Sequence, residues 1–227
     1  MTLETMDLLL LGLLGGILGL DTVSCIQAMI SRPIVAGPLA GLLLGDPVAG
    51  MYAGSLLELV SLSQLPIGAS RSWDTGPASV AAAAVAAAHP VGAVVLLVAV
   101  GYGVLVGWAG SRTVHLLRTM TAGLVASEGQ QPISPFELSA RHLSAVAIEF
   151  LRAASLTLVA VIVAGPISAA LGAAPATASA AAAVVILVSA SLALGGDVRM
   201  MARGRSVQVA FGAGLLVSAV TLLIWLV

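Results

Sequence analysis

Apolar runs of helical length, each cut by a single polar residue or a proline–glycine turn, fill almost the whole chain. The first, residues 6–20, predicts a helix on which Gly12, Gly15, Gly16 and Gly19 leave room for a close neighbour. Asp21 ends it, and the mixed segment from there to Arg32 reads as a short helix partly facing protein. Arg32-Pro33 then forces a new start, because proline suits the first turn of a helix and disfavours helix before it.

The next run, residues 33–44, is too short to cross a bilayer. About twelve residues at ~1.5 Å each reach roughly 18 Å, against a hydrocarbon thickness of about 30 Å. Gly45, Asp46 and Pro47 form a stop-and-restart signal, with Asp46 as N-cap and Pro47 as first helical residue. The expected product is a helical hairpin, re-entrant or tilted. Its first arm carries Gly37, Gly41 and Gly45 and its second Gly50 and Gly54, so glycine recurs at every fourth position. Residues four apart share a helix face, and glycine there lets backbones approach. Glu58 is the next step of four, which turns its acid toward the packed interior rather than lipid.

Beyond the hairpin, residues 65–74 are turn-rich, and residues 76–88 form an alanine-rich helix broken at His89-Pro90. Residues 92–109 return as a span. Residues 111–128 mix Arg112, His115, Arg118 and Glu128 with leucines, the pattern of an interfacial helix or partner surface. A polar break at 128–135 is the best linker, but it is short enough that residues 1–227 are kept as one domain. Residues 138–164 are the longest run and open with Arg141, His142, Glu149 and Arg152; Glu149 and Arg152, three apart, share a face and can pair. Two further spans are expected at 176–194 and 207–227.

Between those spans Arg199, Arg203 and Arg205 stand against Asp197, which marks the loop cytoplasmic by the positive-inside rule. Counting backwards puts Arg112, Arg118 and Arg141 on the same side. Arg32 and Arg71 join them if the hairpin is re-entrant from the cytoplasm, and both termini are then outside.

Composition makes the solvent explicit. Of 227 residues, 59% are hydrophobic and only 8% charged, and the mean hydropathy is +1.12. A water-soluble domain would have too little charge for its surface, so the fold class is an all-α, polytopic integral membrane protein. A net charge of −1 without any lysine excludes a nucleic-acid partner, which needs a basic footprint. The one cysteine, Cys25, excludes an internal disulfide and a multi-cysteine metal site. Glu4 and Asp7 replace the basic start of a secretory signal, so the first run is expected to be retained.

Candidate chemistry is sparse. A carboxylate inside a membrane is costly unless paired, protonated or used, which singles out Glu58. Asp46 is explained by capping. Asp74, Arg71 and Gln27 are polar groups of the kind that bind sugar hydroxyls. His89, His115 and His142 lack a phosphate-cradling glycine loop, and no hydrolase triad, HExxH or Walker pattern occurs. Catalysis by this chain alone, a bound metal and a cofactor are therefore not expected.

The stretch QAMISRPIVAGPLAGLLLGDPVAGMYAGSLLELVSLSQLPIGAS, residues 27–70, resembles the IIC membrane subunit of the mannose/fructose/sorbose family of the phosphoenolpyruvate-dependent sugar phosphotransferase system (PTS). The resemblance implies a multi-helix permease in the bacterial inner membrane that carries a hexose-type sugar inward. It implies a IID-like membrane partner, cytoplasmic IIA and IIB proteins, oligomeric assembly, and phosphoryl transfer on those partners rather than on IIC. Where many relatives have a PPD-type turn, this chain has Arg71-Ser72-Trp73-Asp74 and keeps only the acid. Glu58, Asp74, Gln27 and Arg71 are the expected sugar contacts, with Gly45, Asp46 and Pro47 setting the hairpin. Two other readings of the residues stay open: a non-transporting membrane scaffold or regulatory subunit, and an ion-coupled small-molecule transporter.

Overall fold

A computed structural model of the chain describes residues 4–25, 27–62, 73–126 and 134–172, with a few isolated positions between 204 and 214. Regular structure among these residues is helical: α1 Thr5–Val23, α2 Pro33–Leu43, α3 Pro47–Ser61, α4 Thr75–Ala86, α5 Ala93–Ala126 and α6 Pro135–Leu171. α1, α5 and α6 are long and apolar enough to cross a membrane, whereas α2 and α4 are apolar but short. The fold is thus an all-α membrane architecture. The expected span at 176–194 and all but a few isolated positions of the arginine loop and of the span at 207–227 lie outside the described residues, as does most of the 128–135 linker.

Helices in lipid gain little from burying apolar surface, so close packing and polar contacts must hold them together. Glycines supply the first. α1 lies along α6, and a methyl group added to Gly15, Gly16 or Gly19 would collide with Thr157, Phe150 or Ala153. The neighbour that the glycine ridge of the first run requires is therefore α6, more than 120 residues away in sequence.

α2 and α3 form the expected hairpin. Gly45 adopts φ +82° at the tip, and Asp46 Oδ1 accepts a hydrogen bond from Ala49 N at 2.9 Å, so the cap assigned from sequence is formed. The two glycine stripes face each other. A Cβ on Gly37 would stand 2.5 Å from Gly50 O, and one on Gly41 2.6 Å from Asp46 O. Backbone touches backbone along the hairpin, and larger residues would pry it open.

α4 is the hub. Every residue from Gly76 to Ala86 is buried, and the helix touches α1, α2, α3, α5 and α6. A helix apolar on all sides has no solvent face, and alanine's small side chain lets five neighbours approach it. After a turn containing His89-Pro90, α5 returns antiparallel, with Gly103 and Gly107 against Ala78 and Gly110 against Asp74.

Two expectations about segments need correction. Residues 24, 25 and 27–32 form turns and bends rather than a short helix. Asp21 folds them locally: its Oδ1 accepts from Ala28 N at 2.6 Å and its Oδ2 from Ser31 N at 2.9 Å, while Gln27 and Met29 take positive φ. The amphipathic segment after residue 110 is a continuation of α5, not a separate helix. Ser111 and Thr113 hydroxyls bond back to the Trp108 and Gly110 carbonyls at 2.8 Å, so polar residues enter without breaking the helix.

Candidate functional site

The hairpin brings its two ends together at its base. Arg32, the N-cap of α2, and Glu58, near the end of α3, lie about equally far in sequence from the tip at Asp46, so antiparallel arms set them side by side. Arg32 Nη2 donates to Glu58 Oε1, and Ile34 N lies 3.4 Å from Glu58 Oε2. The carboxylate thus meets a guanidinium and the positive end of a helix at once. Packing demands this geometry, because Gly54 rests against the Pro33 carbonyl. The pair is open chiefly at the arginine. The Glu58 side chain is 11% exposed and that of Arg32 35%, so a polar solute can reach the guanidinium without unpacking the hairpin.

A second ionic cluster joins α4, α5 and α6. Asp74, immediately before α4, has Oδ2 2.7 Å from Arg152 Nη1. Arg152 Nη2 also donates to Glu149 Oε1 at 2.6 Å, and its Nη1 to Thr113 Oγ1 at 2.8 Å. Gly110 makes the room: a Cβ there would stand 2.5 Å from the Asp74 Cβ. Asp74 and Glu149 are fully buried, and neither Asp74 Oδ1 nor Glu149 Oε2 has a hydrogen-bond partner among the described residues. Two carboxylates therefore share one guanidinium in a buried place, an arrangement that costs energy unless the spare charge is neutralised.

The sequence-derived candidates separate in space. Glu58 faces protein, as its glycine register requires, and is paired with Arg32. Asp74 belongs to the other cluster, where the Glu149–Arg152 pair expected from their spacing is also found. Gln27 is exposed on the turn that Asp21 organises. Arg71 lies outside the described residues. Sequence reading missed Arg32 as the partner of Glu58, although their near-equal distances from Asp46 were a usable signal. It also missed Arg152 as the partner of Asp74, a contact across 78 positions with no such signal.

At the far end of α4, His89 Nε2 lies 2.6 Å from the Ser168 carbonyl oxygen and closes one side of a pocket of about 370 Å³ between α4 and α6. Among the described residues no three histidine, cysteine, aspartate or glutamate side chains converge to hold a metal ion.

Residues 5–176 match the family model described as the PTS system sorbose-specific IIC component. The chain is 34% identical over 79 residues to the PTS system sorbose-specific EIIC component of Lacticaseibacillus casei, covering 35% of this chain and 28% of that protein. To the protein of the same description from Klebsiella pneumoniae it is 29% identical over 141 residues, covering 58% and 52%. The aligned stretches thus span about half or less of these relatives. Among solved structures, one described only as a membrane protein superposes with a TM-score of 0.76 at 21% identity, covering 96% of this chain and 88% of that one. A chain from the cryo-EM structure of the mannose transporter ManYZ with microcin E492 superposes at 0.61 with 22% identity and the same coverage. At such identities the superpositions speak for the fold.

Proposed function

The chain belongs to the family of sorbose-specific IIC components of the sugar phosphotransferase system, and on that premise we propose that it is the permease subunit of such a system. It translocates a hexose-type sugar across a bacterial inner membrane, for phosphorylation by a partner IIB subunit. A IID-like membrane subunit and cytoplasmic IIA complete the assembly, and this chain itself transfers no phosphoryl group.

The observation that carries the reading is the Arg32–Glu58 pair at the base of the glycine-packed hairpin. A guanidinium about a third exposed beside a buried carboxylate offers both donors and acceptors to vicinal hydroxyls, the polar grammar of a sugar. Gln27, exposed on the preceding turn, is a further contact, and Arg71 a weaker one. Asp74 is buried against Arg152, so its contribution to sugar binding requires α4 to repack, and its resting role is to position the start of that helix.

The deciding experiment is co-expression with candidate IID, IIA and IIB chains, followed by uptake of labelled hexoses. Sugar that arrives phosphorylated supports the proposal. Free sugar, or no uptake by a well-assembled complex, contradicts it. One observation favours an ion-coupled transporter instead: two buried carboxylates, Asp74 and Glu149, face a single guanidinium, that of Arg152. Uptake of unmodified sugar that collapses with the proton gradient would select that reading.

A further inference from the structure

The exposed face of α5 changes character along its length. Gly101 and Leu105 lie on it in the apolar half, Trp108 follows at 54% exposure, and Arg112, His115 and Arg118 continue the exposed surface. From Ala93 to this point α5 runs about 18 residues, roughly 27 Å, which is close to a hydrocarbon thickness. The neighbouring elements mark the same level. Trp73 lies against Gly107, and the Asp74–Arg152–Glu149 cluster sits beside Gly110 and Thr113. Tryptophan concentrates where hydrocarbon meets headgroups, so the membrane boundary crosses α5 between Trp108 and Arg112.

Among the described residues, the exposed face of α5 carries charge of one sign. α5 contains no aspartate or glutamate, so nothing on the helix neutralises its two arginines. Glu137 on α6 is engaged by Arg141, and Asp74 and Glu149 are buried around Arg152 rather than exposed on this face. The Arg112 guanidinium lies 5.0 Å from the centroid of the Trp108 ring. A cation–π contact of this kind uses no hydrogen-bond acceptor, so the guanidinium keeps its N–H donors for phosphate oxygens.

We propose that Trp108, Arg112, His115 and Arg118 form a binding site for the phosphate of an anionic phospholipid headgroup. Trp108 orients Arg112 at the boundary, and Arg118, nearly two turns further on, holds the headgroup's outer side. The lipid's acyl chains then run along the apolar face at Leu105 and Gly101, continuous with the site. A soluble anion has no use for that apolar continuation.

The test uses the full-length protein purified in detergent and native mass spectrometry with two probes, dioleoylphosphatidylglycerol and dioleoylphosphatidylethanolamine. The expected result is preferential retention of the glycerol lipid. Arg112→Gln and Arg118→Gln should each weaken it about fivefold, and the double variant about twenty-fold, with the ethanolamine lipid unaffected. Arg118→Gln changes an exposed side chain, so it remains informative if Arg112→Gln fails to fold. Equal retention of both lipids, or an undiminished preference in the double variant, overturns the proposal. Full displacement of the lipid by about 10 mM inorganic phosphate also overturns it, in favour of a soluble-anion site.

Discussion

Arg152 Nη1 stands 2.7 Å from Asp74 Oδ2, and this contact ties the middle of α6 to the first residue before the central helix α4. Both side chains are almost wholly buried, with 10% and 0% exposure. Removing one member of such a pair strands the other's charge. Arg152→Gln leaves two unpaired carboxylates and is expected to cost about 3–5 kcal/mol. Asp74→Asn still leaves Glu149 for the arginine and should cost less. Thermal unfolding of the purified variants in detergent checks the order; equal stability of Arg152→Gln and wild type would show that the cluster is not structural.

At the hairpin base the expectation concerns function rather than folding. Glu58→Gln keeps the shape and an acceptor for Arg32 but removes the charge. Assembly should survive, and sugar uptake should fall by about tenfold or more, as loss of a charge-assisted hydrogen bond implies. Arg32→Gln should lower uptake as well, since it removes the exposed half of the pair. Normal uptake by well-expressed Glu58→Gln protein would take Glu58 out of the site.

Glycine substitutions should sort by what a Cβ meets. Gly50→Ala drives a methyl into the Gly37 carbonyl and should cost about 1–3 kcal/mol, with loss of monodisperse protein on gel filtration. Gly101 has nothing within 4 Å of its added Cβ, so Gly101→Ala should be neutral or stabilise α5 by up to about 1 kcal/mol. A tolerated Gly50→Ala would mean that the hairpin arms are not in backbone contact.

The turn before α2 should depend on one side chain. Asp21→Ala removes both acceptors that hold Ala28 N and Ser31 N, leaving Ser31 N buried without its partner. A loss of about 1–3 kcal/mol is expected. Asp21→Asn retains one acceptor and should lose roughly half as much. Hydrogen exchange of the 27–31 amides reads the effect directly, and unchanged protection in Asp21→Ala would assign the turn to other contacts.

Much of the architecture was legible in residue order because its determinants are local. Proline and glycine at 45–47 stop and restart a helix whatever surrounds them, and a four-residue glycine period fixes which face of each arm can approach a backbone. Glu58 lies on that register, so its inward orientation followed from spacing alone, and the motif around it carried the family. The Glu149–Arg152 pair was equally local.

Tertiary structure decided what those faces meet. Nothing near α1 in sequence says that its glycines receive Thr157, Phe150 and Ala153 of α6, or that alanine-rich α4 becomes the hub. Asp74 could be read as a loop acid open to solute until Arg152 was found beside it. Long-range ionic contacts leave no periodic trace, because one charge at one position satisfies them. In a bilayer, where apolar surface is indifferent to its neighbour, such contacts and the shapes of small residues choose which helices pack together.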